Sequence, residues 1–246
     1  MLYIDINCDL GEGFPDDVLL MPYISSANIA CGGHAGDTDI MRSTIESSMH
    51  HGLRIGAHPG YNDRINFGRK EQALGADELY DLLTTQVQRI KKITEESGGL
   101  LEHVKPHGAL YNLSARSPDV AATIAKAIRD VDSGLCLYGL SGSFSITAAR
   151  EAGLETRQEV FADRRYDDNG QLLSRLHPEA MIGKKEVACG QVLQMVRDNS
   201  VTTVSGKVLP VVAETICIHG DAAGAAALAA QLFQFLTAHA IGLQKK

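Results

Sequence analysis

The segment Asn28-Ile29-Ala30-Cys31-Gly32-Gly33-His34-Ala35-Gly36-Asp37 sets an imidazole among three glycines. An ordinary strand-to-helix connection needs one turn residue and one cap. Glycines around His34 let the backbone turn sharply and approach a ligand closely, which reads as one wall of an active site. The plainer reading is a tight turn with a chance histidine, and Asp37 need only cap the next helix. Ionisable side chains recur beside other apolar runs. They appear as Asp5, Asn7, Asp9 and Glu12 in the first segment, and as His58-Pro59-Gly60 and Lys105-Pro106-His107-Gly108 further on. Glu159 with Asp163-Arg164, and His219-Gly220-Asp221, complete the series.

These residue types suit definite chemistry. Histidines and carboxylates move protons to and from a reacting water. Lys105 and Arg164 can hold a phosphate or a carboxylate, and an ammonium beside His107 would lower its pKa. Singly, each has a structural explanation: Asp9 and Glu12 as turn formers, His58 as a strand end, Asp163-Arg164 as a surface pair, Asp221 as a helix cap with His219 spare. Jointly they are harder to dismiss, because ionisable groups buried without partners are costly.

Other chemistries are less well supported. His34, His58, His107 and His219, with Asp5 or Asp9, could supply a His/carboxylate metal set. No compact H-E-x-x-H spacing appears, so a divalent metal is left open. No G-x-x-x-x-G-K-[ST] is present: Gly183-Lys184-Lys185 lacks the upstream glycine, and Gly206-Lys207 is followed by valine. No G-x-G-x-x-G follows the first strand, so self-contained nucleotide binding is disfavoured. Cys8 or Cys31 would be a nucleophile only if activated, and a buried strand cysteine is the commoner fate.

The elements that must position these residues alternate. Apolar runs predict strands near residues 2–7, 27–31, 54–57, 100–104, 135–140, 155–161 and 214–218. Helices are expected over 37–51, from a cap at Asp77 to Gly98-Gly99, from Ser117-Pro118 to 131, after Ser143 to 151, over 184–198 and over 222–240. Leu79, Leu82, Leu83, Gln86, Val87, Ile90 and Ile93 place one face of the second helix against a core. Residues 201–212 have room for a hairpin. Strands alternating with helices imply a mostly parallel sheet. No linker or repeat divides the chain, so residues 1–246 read as one domain. An open doubly wound sheet needs polar strand ends at only one switch point. Here nearly every strand end is polar, and in a barrel all of them meet on one face. The expectation is an α/β fold, a parallel (β/α) barrel, seven-stranded and irregular.

Composition narrows the partners. The 246 residues suit a single barrel, and a 44% hydrophobic, 22% charged chain is ordinary for a globular protein. A net charge of −7 disfavours nucleic acid or an anionic membrane as partner. No apolar run approaches the roughly 20 residues of a membrane span, and Met1-Leu2-Tyr3-Ile4-Asp5 reads as a first strand, not a signal peptide. Five scattered cysteines without C-x-x-C spacing disfavour a disulfide frame or zinc knuckle. A cytoplasmic protein with reduced thiols is expected.

Seven motifs occur in order. They are Asp5-Ile6-Asn7-Cys8-Asp9-Leu10-Gly11-Glu12, Asn28 to Asp37, Gly56-Ala57-His58-Pro59, Phe67-Gly68-Arg69, His103-Val104-Lys105-Pro106-His107-Gly108-Ala109-Leu110-Tyr111-Asn112, Glu159-Val160-Phe161-Ala162-Asp163-Arg164 and Cys217-Ile218-His219-Gly220-Asp221. Together they resemble the LamB/YcsF family from the first strand to the last helix. The resemblance implies a barrel related to the glycoside hydrolase/deacetylase group. It implies cleavage of 5-oxo-L-proline to L-glutamate coupled to ATP hydrolysis, with this chain one component of a 5-oxoprolinase beside subunits B and C. ATP would be bound with or by those partners. On this reading Asp9, His58, Lys105 and His107 are catalytic. Asn7, Glu12, Asn28, Gly32, Gly33, His34, Glu159, Asp163, Arg164, His219 and Asp221 face substrate. Gly33 stands where the family more often has phenylalanine, which would widen the pocket or loosen its loop, and Lys70 stands where a second arginine is usual. Two readings compete: a stand-alone metal-dependent deacetylase or carbohydrate hydrolase, and a non-catalytic small-molecule binding protein.

Overall fold

Along β1 (Leu2–Leu10), Ile4, Ile6, Cys8 and Leu10 alternate with Asp5, Asn7 and Asp9. Successive strand side chains point to opposite faces, so β1 presents one apolar face and one polar face. The computed structural model describes residues 2–221 and 224–244. In it β1 is followed by α1 (Asp17–Leu20), a 3-10 turn (Met21–Tyr23), β2 (Ser26–Ala30), α2 (Thr38–His50), β3 (Arg54–His58), α3 (Ala76–Glu96) and β4 (Leu101–Val104). Then come α4 (Gly108–Arg116), α5 (Pro118–Val131), β5 (Cys136–Leu140), α6 (Phe144–Glu151), β6 (Thr156–Phe161) and α7 (Lys185–Asp198). A hairpin of β7 (Ser200–Thr202) and β8 (Val208–Pro210) precedes β9 (Thr215–Ile218), α8 (Ala225–Ala238) and β10 (Ile241–Leu243).

The strands run β1-β2-β3-β4-β5-β6-β9, all parallel, and β9 pairs back onto β1 from Asp5↔Thr215 to Cys8↔Ile218. This is the closed seven-stranded parallel barrel that polar strand ends imply. The apolar strand faces pack outward against the helices, where Leu83, Val87 and Ile90 of α3 are buried. The polar faces fill the barrel, where bulky branched residues are usual. Register places Asn28 beside both Asp9 and Gly56, Gly56 beside His103, and Glu159 beside Thr215. A Cβ on residue 56 would lie 2.0 Å from His103 Nε2, so only glycine leaves room for that imidazole inside the barrel.

Several boundaries differ from the sequence expectation. β1 continues to Leu10, three residues beyond its expected end, so Asp9 projects from a rigid strand rather than a loop. α3 starts from Gly75, whose N–H donates to the Glu78 carboxylate at 2.9 Å; Asp77 lies inside the first turn. α4 and the edge strand β10, which pairs with the start of β1, were not expected. The expected first residues of the last helix, Ala222 and Ala223, lie outside the described residues. No helix among the described residues is long and apolar enough to cross a membrane.

Candidate active site

The carboxyl ends of the barrel strands surround a cavity of about 560 Å³. Asp9, Glu12, His58, Lys105, His107, Arg164, His219 and Asp221 line it. Asn7, Asn28 and Glu159 are fully buried and lie outside that lining. Gly32, Gly33, His34 and Asp163 also lie outside it. At Gly33, the space a Cβ would take is occupied by the Gln86 carboxamide and the Gly60 carbonyl, each 2.9 Å away. Gln86 in turn binds the Gly60 backbone. The glycine therefore accommodates a neighbouring side chain rather than enlarging the cavity.

Lys105 anchors the polar network. Its ammonium donates to Asn7 Oδ1 at 3.1 Å and Asp9 Oδ1 at 2.9 Å, lies 2.9 Å from Glu159 Oε1, and donates to Cys217 Sγ at 3.1 Å. Asn28 donates to Asn7 Oδ1 and Asp9 Oδ1, and Asn7 donates to Glu159 and Thr215. Burial alone would lower the Lys105 pKa, but Asp9, Cys217 and Glu159 hold it well above its ordinary value. Burial likewise opposes ionisation of Asp9, yet His58 and Lys105 keep its carboxyl well below the usual range. With its donors committed, Lys105 keeps Asp9 ionised and in place. Asp5 lies deeper, accepting from Ser25, Ser26 and Thr215.

Three histidines meet above this network. His58 Nδ1 donates to the Lys105 carbonyl at 2.7 Å, and His107 Nε2 donates to the Phe67 carbonyl at 2.8 Å. A carbonyl only accepts, so each of those nitrogens carries hydrogen. The inner nitrogens, His58 Nε2 and His107 Nδ1, face each other at 2.9 Å. Asp9 Oδ2 lies 3.3 Å from His58 Nε2, and Glu12 Oε1 lies 3.3 Å from His107 Nδ1 and 3.9 Å from His58 Nε2. His34 Nε2 lies 3.0 Å from Glu12 Oε1, and the His34 ring stacks on His107 at 3.6 Å. Burial disfavours charge on His58, but Asp9 and Glu12 outweigh it and raise its pKa. Burial, then His58 and His34, hold His107 well below its ordinary value. Its low pKa thus comes from burial and neighbouring imidazoles, not from Lys105. Burial, with the Asp9 charge, pushes Glu12 up to about 7, and burial with His58 pulls His34 down to about 2. Phe67 adopts a left-handed φ of 53°, a strained conformation for a bulky residue, where its carbonyl meets His107.

The opposite wall is simpler. His219 Nδ1 donates to the Asp163 carboxylate at 2.9 and 3.1 Å, and its ring stacks on Phe161 at 5.5 Å. Among the described residues its Nε2 has no hydrogen-bond partner, and the residue lines the cavity. Burial opposes ionisation of Asp163, but His219 and then Arg164 lower its pKa. Arg164 is 3% exposed. It donates through Nη2 to the Leu173 carbonyl, while its Nε lacks a partner among the described residues. Burial, with Arg175 nearby, brings Arg164 down to about 10, still cationic at neutral pH.

Sequence reasoning missed part of the rim. Arg69 and Arg175 both approach Asp221, and Arg116 pairs with Glu71. Arg69 lies within one of the seven motifs, whereas Arg116 and Arg175 have no pattern to mark them. His103 donates from Nε2 to Asn28 Oδ1 at 2.7 Å and stacks on Tyr138. Its place inside the barrel shows only in the strand register. Cys8 and Cys31 are buried, and burial pushes the Cys31 thiol up to about 12, which disfavours thiolate chemistry.

The LamB/YcsF family model matches residues 4–246. The chain belongs to the LamB/YcsF family. A relative from Staphylococcus carnosus, named as the A subunit of 5-oxoprolinase, is 45% identical over 249 residues, which span 99% of both chains. The crystal structure of a lactam utilization protein from Thermus thermophilus matches all of both chains at 34% identity and a TM-score of 0.93. A T48 deacetylase solved with substrate, at 13% identity over 98% of this chain and 87% of its own, has a TM-score of 0.53 and shares the fold alone.

Proposed function

We propose that this LamB/YcsF chain opens the lactam of 5-oxo-L-proline to L-glutamate as the A subunit of a 5-oxoprolinase, with partner subunits B and C and ATP. The name of the Staphylococcus carnosus relative supports the lactam and the subunit role. The observation that carries the chemistry is His219, held through Nδ1 by Asp163 and free at Nε2 beside the cavity. A five-membered lactam is a poor electrophile, and phosphorylation of its oxygen by ATP makes attack by water feasible. His219 Nε2 takes a proton from water as the water oxygen bonds to the lactam carbonyl carbon. The carbon–nitrogen bond then breaks, the imidazolium returns that proton to the leaving nitrogen, and a second water hydrolyses the resulting acyl phosphate to the free carboxylate and inorganic phosphate. Arg164, cationic and lining the cavity, holds the substrate carboxylate or the phosphate. The absence of a P-loop supports nucleotide binding with or by the partners. Five free cysteines support a cytoplasmic setting.

The decisive assay measures glutamate released from 5-oxoproline and ATP by the chain alone and by the chain with subunits B and C. Release only in the complete mixture supports the proposal. ATP-independent release of acetate from an acetylated sugar would favour the deacetylase reading. Saturable binding of 5-oxoproline without turnover in the complete mixture would favour a binding protein.

A further inference from the structure

The three floor histidines have no role in that scheme, and their hydrogen bonds pose a problem. The Lys105 and Phe67 carbonyls fix hydrogen on the outer nitrogens of His58 and His107. Two neutral rings would therefore aim lone pairs at each other across 2.9 Å. Something positive must lie between them, either a single proton or a cation. Two carboxylates approach the same point, Asp9 at 3.3 Å from His58 Nε2 and Glu12 at 3.3 Å from His107 Nδ1.

We propose that His58 Nε2, His107 Nδ1, Glu12 and Asp9 bind one divalent transition-metal ion at the cavity floor. Ligand atoms at about 2.0–2.1 Å around a tetrahedral ion lie roughly 3.3 Å from one another. The separations of 2.9, 3.3, 3.3 and 3.9 Å bracket that value. Metal-bound histidines almost always donate their other N–H to a carbonyl or carboxylate, as both rings do here. His34 supports the set from outside, its Nε2 on Glu12 and its Nδ1 without a partner among the described residues. Two imidazoles with two carboxylates suit zinc, manganese or cobalt better than magnesium or calcium, which prefer all-oxygen sites. All four ligand residues line the cavity, so the ion has a path in. Binding displaces the proton between the rings to solvent.

The test needs neither substrate nor ATP, so it stands apart from the lactam reading. The full-length chain is stripped with a chelator and titrated with Co²⁺ and Zn²⁺. One equivalent of Co²⁺ per chain should bind, with a visible d–d band that Zn²⁺ abolishes. Glu12→Gln and His107→Ala should each weaken Zn²⁺ affinity by about 100-fold or more, and His34→Ala by about 10–100-fold. His219→Asn should leave it within about 2-fold. Circular dichroism of the stripped variants checks their folding, and Glu12→Gln decides the matter if His107→Ala does not fold. The absence of saturable binding, or affinity unchanged in the folded ligand variants, overturns the proposal and leaves the proton as sole occupant. A chain that binds cobalt yet releases no glutamate in the complete mixture overturns the function reading and leaves this one standing.

Discussion

On the cavity floor His58 and His107 each use one ring nitrogen on a backbone carbonyl and turn the other toward its neighbour. On the wall His219 uses one nitrogen on Asp163 and leaves the other facing the cavity. Both sites are built from histidine and carboxylate at strand ends, yet they suit different tasks. A ring whose nitrogens are both engaged within the protein can hold something still. A ring with one nitrogen oriented and one open can carry a proton back and forth. Proximity of histidine to acid therefore does not identify a catalytic base; an uncommitted nitrogen on a ring that lines the cavity, as His219 does and His34 and His103 do not, identifies it.

The largest expected effect separates floor from wall by activity. His219→Asn should lower kcat for glutamate formation by about 10²–10⁴-fold in the complete mixture, while KM for 5-oxoproline moves little. Equal turnover in wild type and variant would break the assignment of the base. Next comes Lys105→Met, which leaves Asp9 and Glu159 buried without their cation. Removing one partner of a buried pair costs about 3–5 kcal/mol, readable as a lower urea midpoint at unchanged slope. A loss below about 1 kcal/mol would show that the floor network is not held by this ammonium.

A smaller effect concerns Arg164. Arg164→Lys keeps the charge but loses the planar fork, so KM should rise about 10-fold with kcat preserved. A fall in kcat at constant KM would place Arg164 in the reaction itself. The smallest effect is electrostatic. Burial raises the Asp17 carboxyl from 3.8 to about 6, although the Gly11 N–H opposes this. Between those values the folded protein binds more protons than the unfolded chain, so this group makes stability fall as pH rises from about 4 to about 6. Asp163 is lowered, so its contribution is present above its unfolded pKa and fades as pH drops through the folded one. Thermal melts across pH 4–7 should show Asp17→Asn gaining relative to wild type toward pH 7. Parallel curves for the two proteins would contradict the burial argument.

Much of the fold was legible because strand alternation is local. Asp5 and Asn7 at alternate positions announce a polar strand face, whatever lies opposite, whereas Asp9 beside Gly11 and Gly13 reads as loop although β1 runs on to Leu10. The Leu79-to-Ile93 stripe announces a helix in the same way. α4 was not legible: it begins at Gly108 directly after a strand exit, and it is held by burial of Leu110, Tyr111 and Ala115 rather than by propensity. β10 was hidden too, because three residues form a strand only when the β1 edge is present to pair with them. In the site, the residue types at the strand ends were legible and their division of labour was not. Asn7, Asn28 and Glu159 look like substrate ligands in a motif, yet they are fully buried within the Lys105 network.

The sequence by itself determined an alternating parallel fold with ionisable groups at nearly every strand exit, since period-two patterning and turn chemistry act over a few residues. Only the tertiary structure decided which group meets which. Asp163 and His219 are 56 residues apart, and Lys105 and Asp9 are 96 apart. They meet because closing the barrel between β1 and β9 brings distant strand ends to one mouth. There burial and each donor's partner, neither encoded locally, set the charge that every side chain carries.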